Sequence, residues 1–299
     1  MKQMKKFTVA IIGAGRVGTA MAVMLARAGY RISGVASRNR DDAEQCARLT
    51  DADMISTNPV DVAVGAKMIL LSLPDEQIGP VCQSVAGNNG FRRGQLVVHA
   101  SGALGSRVLA PAARKGCHVA SMHPFQSFAT PEQAMLHLPG SYFGLEGSKD
   151  AIAVLEKLIP EAFGGKVILL DERTKPVYHA AACIASSFVV VLTQSSVELL
   201  IQIGLEKEEA VRVLTPLLRG TVDNIDLLGL PKALTGPIER GDVLTIREHL
   251  QAVEARRPRV ASLYRELGLK ALDIAVEKGG LPRDKVLEIR GLFERQQKQ

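Results

Sequence analysis

VAIIGAGRVGTAMAVML, residues 9–25, decides the fold. An apolar run leads into Gly13, Gly15 and Gly18 in GxGxxG spacing, and an amphipathic helical pattern follows at once. Three spaced glycines alone are a weak signal. The specific part is the context, a strand before, a helix after, and a second strand ending at about the expected distance. Each glycine then has a physical task. Gly13 permits the tight turn, Gly15 lets backbone approach a pyrophosphate, and Gly18 lets helix and strand pack closely. The phosphates of a dinucleotide would sit at the N-terminus of the helix beginning near Arg16, where unpaired N–H groups point outward. Ala14, Arg16 and Val17 would add backbone contacts there.

The second strand candidate ends in VASRNR (35–40), where an acidic side chain often accepts hydrogen bonds from the adenosine ribose. Such a carboxylate would repel a 2′-phosphate. Ser37 and Arg38 invert the preference, offering a hydroxyl donor and a planar cation that clamps phosphate. The expected cofactor is therefore NADP(H) rather than NAD(H), with Arg40 as a weaker third contributor.

Outward from these stretches, the first half alternates short apolar runs with helical patterns. FTVAIIG (7–13), YRISGVAS (30–37), AKMILLSLP (66–74), GQLVVHASG (94–102) and CHVASMHP (117–124) read as strands. Near-continuous apolar strands separated by helices describe a parallel sheet covered on both faces. The stretch 49–66 has room for one edge strand and a short helix, and residues 142–171 read as strand, helix, strand. The texture then changes. Residues 176–204 form one long helical pattern, apolar on most faces, and further helices follow with breaks at Gly220, Gly229, Pro237, Pro258 and Gly279–Pro282. The expected architecture is α/β over residues 1–171, a Rossmann dinucleotide-binding domain, followed by an all-α domain over 172–299. A helix apolar most of the way round has to be buried in a larger body. A homodimer through the helical domain would bury it.

Ligands of doubly wound sheets lie across the carboxyl ends of the strands. LLSLPDEQ places Ser72, Leu73 and Pro74 at one such end, VVHASGAL places His99 and Ser101 at the next, and SMHPFQSF places His123 at another. Lys175 and His179 are four apart and share a helix face. A lysine there, with a histidine one turn on, has the chemistry to protonate a carbonyl oxygen as hydride reaches carbon. Lys175 is thus the expected proton donor, Ser101 and His179 orient substrate, His123 assists, and His99, Ser72, Leu73 and Pro74 flank the cofactor. Gly236, Pro237, Arg240 and Asp242 form a candidate loop over the cleft.

Composition narrows the function classes. The chain of 299 residues is 46% hydrophobic and carries a formal charge of +6, with no tryptophan. That balance suits an anionic ligand, and no aromatic-rich basic tract supports nucleic acid. The apolar runs are interrupted by Ser, Thr, Gln and His, so no membrane span is expected. The basic opening MKQMKKF lacks a continuous greasy core behind it, so a signal peptide is not expected and the compartment is read as cytoplasmic. Cys46, Cys82, Cys117 and Cys183 lie far apart, which points to buried thiols rather than disulfides or a metal site. The tail QQKQ reads as a frayed, solvated end.

GAGRVG at 13–18, HASG at 99–102, HPFQSF at 123–128, KPVYHAAA at 175–182 and TGPIERGD at 235–242 together resemble the Rossmann-like oxidoreductases that carry the C-terminal domain of unknown function 2520. These belong to the superfamily of 6-phosphogluconate, 3-hydroxyisobutyrate and pyrroline-5-carboxylate reductases. The resemblance implies an NADP-type cofactor, a dimer formed through the helical domains, and an active site in the cleft between domains. It also implies an acid/base lysine at Lys175, a substrate-holding residue at His179 and a carboxylate-binding Ser101–Gly102. Histidine stands where the 3-hydroxyacid enzymes have asparagine. The expected function is hydride transfer between NADP(H) and a small, anionic carbonyl/alcohol or imine/amine substrate. The alternative is a non-catalytic dimeric protein that binds and senses NADPH.

Overall fold

The computed structural model describes residues 6–294, so the opening residues 1–5 and the tail QQKQ lie outside the described residues. The chain divides into two compact units, Met1–Ser186 and Ser187–Gln299.

The first unit is an eight-stranded sheet in the order β3-β2-β1-β4-β5-β6-β7-β8. β1 (Thr8–Ile12), α1 (Arg16–Arg27), β2 (Arg31–Ala36), α2 (Arg40–Thr50), β3 (Ile55–Ser56), α3 (Pro59–Ala63), β4 (Met68–Leu71), α4 (Asp75–Gly87) and β5 (Leu96–His99) come first. α5 (Ala110–Arg114), β6 (His118–Pro124), α6 (Pro131–His137), β7 (Tyr142–Gly147), α7 (Lys149–Phe163), β8 (Lys166–Leu169) and α8 (Lys175–Ala185) complete it. β1 to β6 run parallel to one another. Each of the six strand segments before residue 125 is present, including the short edge strand and helix between residues 49 and 66.

Two-residue periodicity explains the double-faced core. Val9, Ile11, Met68, Leu70, Leu96 and Val98 pack on one face with Met21 and Leu25 of α1 and Leu155 and Leu158 of α7. Ala10, Ile12, Ile69, Leu71 and Val97 point the other way, against Val62 of α3, Ile78 and Val85 of α4, and Leu109. Each fully buried Leu, Ile or Val contributes about 1.5–3 kcal/mol. Cys46, Cys82 and Cys117 are buried in these layers, and burial pushes each thiol up to about 11.

Three features depart from the sequence-based expectation. β7 pairs antiparallel to β6, then parallel to β8, so the sheet is not uniformly parallel. The helix expected over 176–204 is two helices, α8 and α9 (Ser187–Ile201), broken where Ser186 leaves helical geometry at φ −126°, ψ −78°. The Ser186 hydroxyl donates to the Ala182 carbonyl at 2.7 Å, a back-bond that competes with the regular ladder. The unit boundary accordingly falls at Ser186/Ser187, whereas sequence texture places it at Asp171/Glu172. α8 stays with the sheet because Lys175, at its first position, is fully buried there.

The second unit is all helical, with α10 (Lys207–Leu228), α11 (Pro237–Arg240), α12 (Val243–Arg256), α13 (Pro258–Lys278) and α14 (Arg283–Glu294) after α9. Gly220 lies inside α10 and does not end a helix. Val243, Ile246, Leu250, Leu272, Ile289 and Phe293 form the core of α12–α14. Gly268 of α13 leaves room for the Phe293 ring, which a β-carbon there would strike. Phe188, Val190 and Val191 of α9 and Leu217, Val222 and Leu227 of α10 remain exposed. By length and composition, Glu172–Ile201 is apolar enough to cross a membrane, contrary to the sequence reading.

Candidate functional site

The crossover between β1 and β4 reverses strand order, and the glycine turn opens there. Gly13 adopts φ +102°, and its N–H donates to the Ala36 carbonyl at 2.7 Å, tying the turn to the end of β2. A β-carbon on Gly13 would strike the Ser72 carbonyl, and one on Gly18 would strike the Gly13 carbonyl. Gly15 differs, because nothing lies within 4 Å of the place its β-carbon would take. Gly13, Ala14 and Gly18 are buried and shape the turn, while Gly15 and Arg16 are exposed at its mouth. The open side of Gly15, beside the free N-terminus of α1, is what a pyrophosphate needs. A dinucleotide fits these residues.

At the end of β2, Ser37 is half-buried and Arg38 exposed, and Arg38 makes no ion pair among the described residues. Arg40 is engaged by Glu44 at 2.9 Å, one helical turn on. Asn39 accepts from the Asp41 N–H at 3.1 Å and starts α2, which leaves the two preceding side chains outside the helix.

Gly15, Arg16 and Val17 form one wall of a cavity of about 550 Å³. Ser72, Leu73 and Asp75 form its floor at the end of β4, and Ala100, Ser101, Gly102, His123 and His179 form the far wall. All of these belong to the first unit. Pro74 sits just behind, at the N-cap of α4.

The far wall is braced from behind. The Ser101 N–H donates to His99 Nδ1 at 3.2 Å, which puts the His99 proton on Nε2, facing the Gly105 carbonyl at 3.2 Å. Burial, outweighing that hydrogen bond, pushes His99 down to about 4. The ring is a neutral strut for the loop, and it does not line the cavity as a cofactor contact. The Ser101 hydroxyl accepts from the Ala103 and Leu104 N–H groups at 3.2 and 3.0 Å. Lys175 is fully buried, and its Nζ donates to Ser121 Oγ at 2.7 Å and to the Ser101 carbonyl at 3.4 Å. Ser121 Oγ in turn donates to that carbonyl at 3.1 Å. Burial lowers the Lys175 ammonium, with Glu146 and Asp75 partly offsetting the shift. The expected proton donor therefore stands behind the wall rather than in the cavity, because its four-carbon stem points under β5 and β6.

Among the side chains that line the cavity are His123 and His179. Gly102 is the reason they fit, since a β-carbon on it would collide with His179 Nδ1 and lie 2.8 Å from His123 Nε2. The rings meet edge to face with centroids 5.6 Å apart. His179 Nδ1 is buried with no hydrogen-bond partner among the described residues, and its Nε2 lies 3.8 Å from Cys183 Sγ. Burial first, then the charges of His179, Lys175 and His99, push His123 down to about 3. Tyr178, which the sequence reading passes over, meets His123 Nδ1 at 3.0 Å. Ser121 and Asp75 were likewise not singled out. Ser121 shares the inward face of β6 with His123, two residues on, and that alternation was the available signal. Gly236, Pro237, Arg240 and Asp242 lie in the second unit, where Arg240 pairs with Asp242 at 2.9 Å.

Comparison with known proteins bears on the domains and the fold. A Rossmann-like domain model matches residues 1–124, and the domain of unknown function DUF2520 matches residues 141–271. No curated protein sequence matches the chain. The crystal structure of a Bacteroides fragilis protein named provisionally as an NADP oxidoreductase is 26% identical, with TM-score 0.73, covering 90% of this chain and 98% of that one. A Thermotoga maritima protein of known structure is 26% identical, with TM-score 0.71, covering 90% and 99%. An imine reductase from Myxococcus stipitatus, solved with NADP+, shares the fold at 17% identity and TM-score 0.62, over 90% and 93%. The chain thus joins a stretch that matches a Rossmann-like domain model to one that matches the domain of unknown function DUF2520.

Proposed function

We propose that the protein is an NADP(H)-dependent oxidoreductase acting on a small, anionic carbonyl/alcohol or imine/amine substrate. One observation carries the reading: a single cavity has the dinucleotide turn on one wall and the paired histidines on the other. The NADP complex of the imine reductase and the name of the Bacteroides fragilis protein support the choice of cofactor. Gly13 to Gly18 hold the pyrophosphate, Ser37 and Arg38 the 2′-phosphate, and Ser72 and Leu73 the nicotinamide ribose. When bound, the nicotinamide supplies or accepts the hydride.

The chain's own residues then place the substrate and handle the proton. Ser101 and Gly102 form the surface on which the substrate lies. His179, with its unpartnered Nδ1, takes and returns the proton that accompanies hydride transfer. His123, held neutral by burial, donates a hydrogen bond. Lys175 braces the Ser101 carbonyl and keeps the wall rigid.

Fluorescence titration with NADPH and NADH tests the cofactor assignment, and NADPH oxidation over a panel of keto acids and cyclic imines tests the reaction. His179→Asn should lower kcat by about 10²–10⁴ while NADPH affinity holds, as for loss of a general acid/base. Lys175→Met should lower kcat less than about tenfold, a loss too small for a proton donor. The reverse ordering of the two variants would return the proton to Lys175.

The exposed apolar side chains of α9 and α10 support a homodimer through the second unit, with a second copy covering them.

A further inference from the structure

We propose that Tyr178 is a positioning residue that fixes the tautomer of His123, and that the group His123 meets in the cavity is therefore an acceptor oxygen. The substrate part of this inference rests on the reductase reading above; the tautomer part does not.

The argument begins with proton counting. A neutral imidazole has one N–H and one acceptor nitrogen, and the hydrogen bond at one nitrogen decides the state of the other. The hydrogen-bond partner of His123 Nδ1 among the described residues is the Tyr178 hydroxyl at 3.0 Å. That hydroxyl has a single proton and two acceptors in reach, His123 Nδ1 and the His123 carbonyl at 3.5 Å. The longer contact is at the edge of hydrogen bonding, so the proton goes to Nδ1. Burial pushes Tyr178 up to about 12, so the phenol keeps its proton at neutral pH and remains a donor.

The geometry holds the phenol in place. Its ring lies 4.9 Å from that of Phe125 and 5.6 Å, edge to face, from that of His123. Gly144 makes room for it, because a β-carbon there would come within 2.6 Å of the phenol oxygen. With Nδ1 accepting from Tyr178, the His123 proton sits on Nε2, the nitrogen facing Gly102 and the cavity. A donor N–H there meets an acceptor. A ketone or aldehyde oxygen satisfies this arrangement. A protonated iminium, which brings an N–H and a positive charge of its own, sets donor against donor. The inferred substrate class is a carbonyl compound rather than an iminium ion.

Long-range proton–nitrogen correlation spectra of protein labelled with ¹⁵N-histidine read the tautomer directly, with His123 assigned through His123→Gln. His123 is expected to show an unprotonated Nδ1 and a protonated Nε2. Tyr178→Phe, which keeps the ring and its packing, should move both nitrogens toward their mean. A protonated Nδ1 in the unaltered protein, or an unchanged spectrum in Tyr178→Phe, overturns the tautomer assignment. With NADPH bound, at a pH at which the cyclic imine is protonated, excess 4-oxopentanoate should shift the His123 Nε2–H signal, and 2-methyl-1-pyrroline should not. A shift with the cyclic imine instead, or with neither probe, overturns the oxygen assignment. Failure to bind NADPH in the same samples would sink the reductase reading and leave the tautomer result standing.

Discussion

At the scale of single residues, the proposed preference for NADP(H) rests on Ser37 and Arg38. Both stand outside α2 because Asn39 begins the helix, and Arg40 is already engaged by Glu44. Replacing Ser37 with Asp and Arg38 with Ala should shift relative affinity toward NADH by ~2 kcal/mol, or roughly thirtyfold, through lost charge-assisted bonds. Equal NADPH-to-NADH ratios for variant and parent would make the pair an ordinary turn. Two residues of the cavity wall were readable at this scale: His123 stands beside Pro124 at a strand end, and His179 is four residues from Lys175 on one helix face. The depth of Lys175 was not readable, since only the docking of α8 under β5 and β6 makes it a brace. Tyr178 was hidden for a similar reason: its partner is fifty-five residues away in the chain.

At the scale of elements, the loop after β5 is a rigid wall held by His99, Ser121 and Lys175. This has a measurable pH signature. Above pH 6.5 the His99 imidazole is neutral in both folded and unfolded chains. Below it the unfolded chain binds a proton that the folded one, with its value near 4, refuses. Stability should therefore fall as pH drops from about 6.5 toward 4, by up to about 1.4 kcal/mol per pH unit from this residue. His123 acts with the same sign. Urea midpoints at pH 7 and pH 5 check this, and His99→Asn should flatten the difference. A midpoint that does not move between those pH values would mean that His99 is not buried as described. Strand positions were legible because β-branched and leucine runs ended in Gly, Ser or Pro. The reversal at β7 was not, because an apolar strand reads alike in either direction. The break at Ser186 was also invisible, since Ser-Ser within an apolar helix is common enough to pass unmarked.

At the scale of the whole molecule, two compact units carry different burdens. The first holds the entire described cavity, and the second presents apolar side chains such as Val190, Leu217 and Leu227 to solvent. If a second copy covers them, sedimentation should give a dimer, and Val190→Glu with Leu217→Glu should give a folded monomer. Partition of the unaltered protein into vesicles, in keeping with the length and composition of Glu172–Ile201, would overturn that reading. The cavity's walls are also made at different times. During synthesis the glycine turn can close once β4 has emerged and Ser72 backs Gly13, but the paired histidines wait for α8. A nascent chain thus completes its glycine turn well before its paired histidines reach the cavity wall, and a ribosome stalled between Ser72 and His179 would display one without the other.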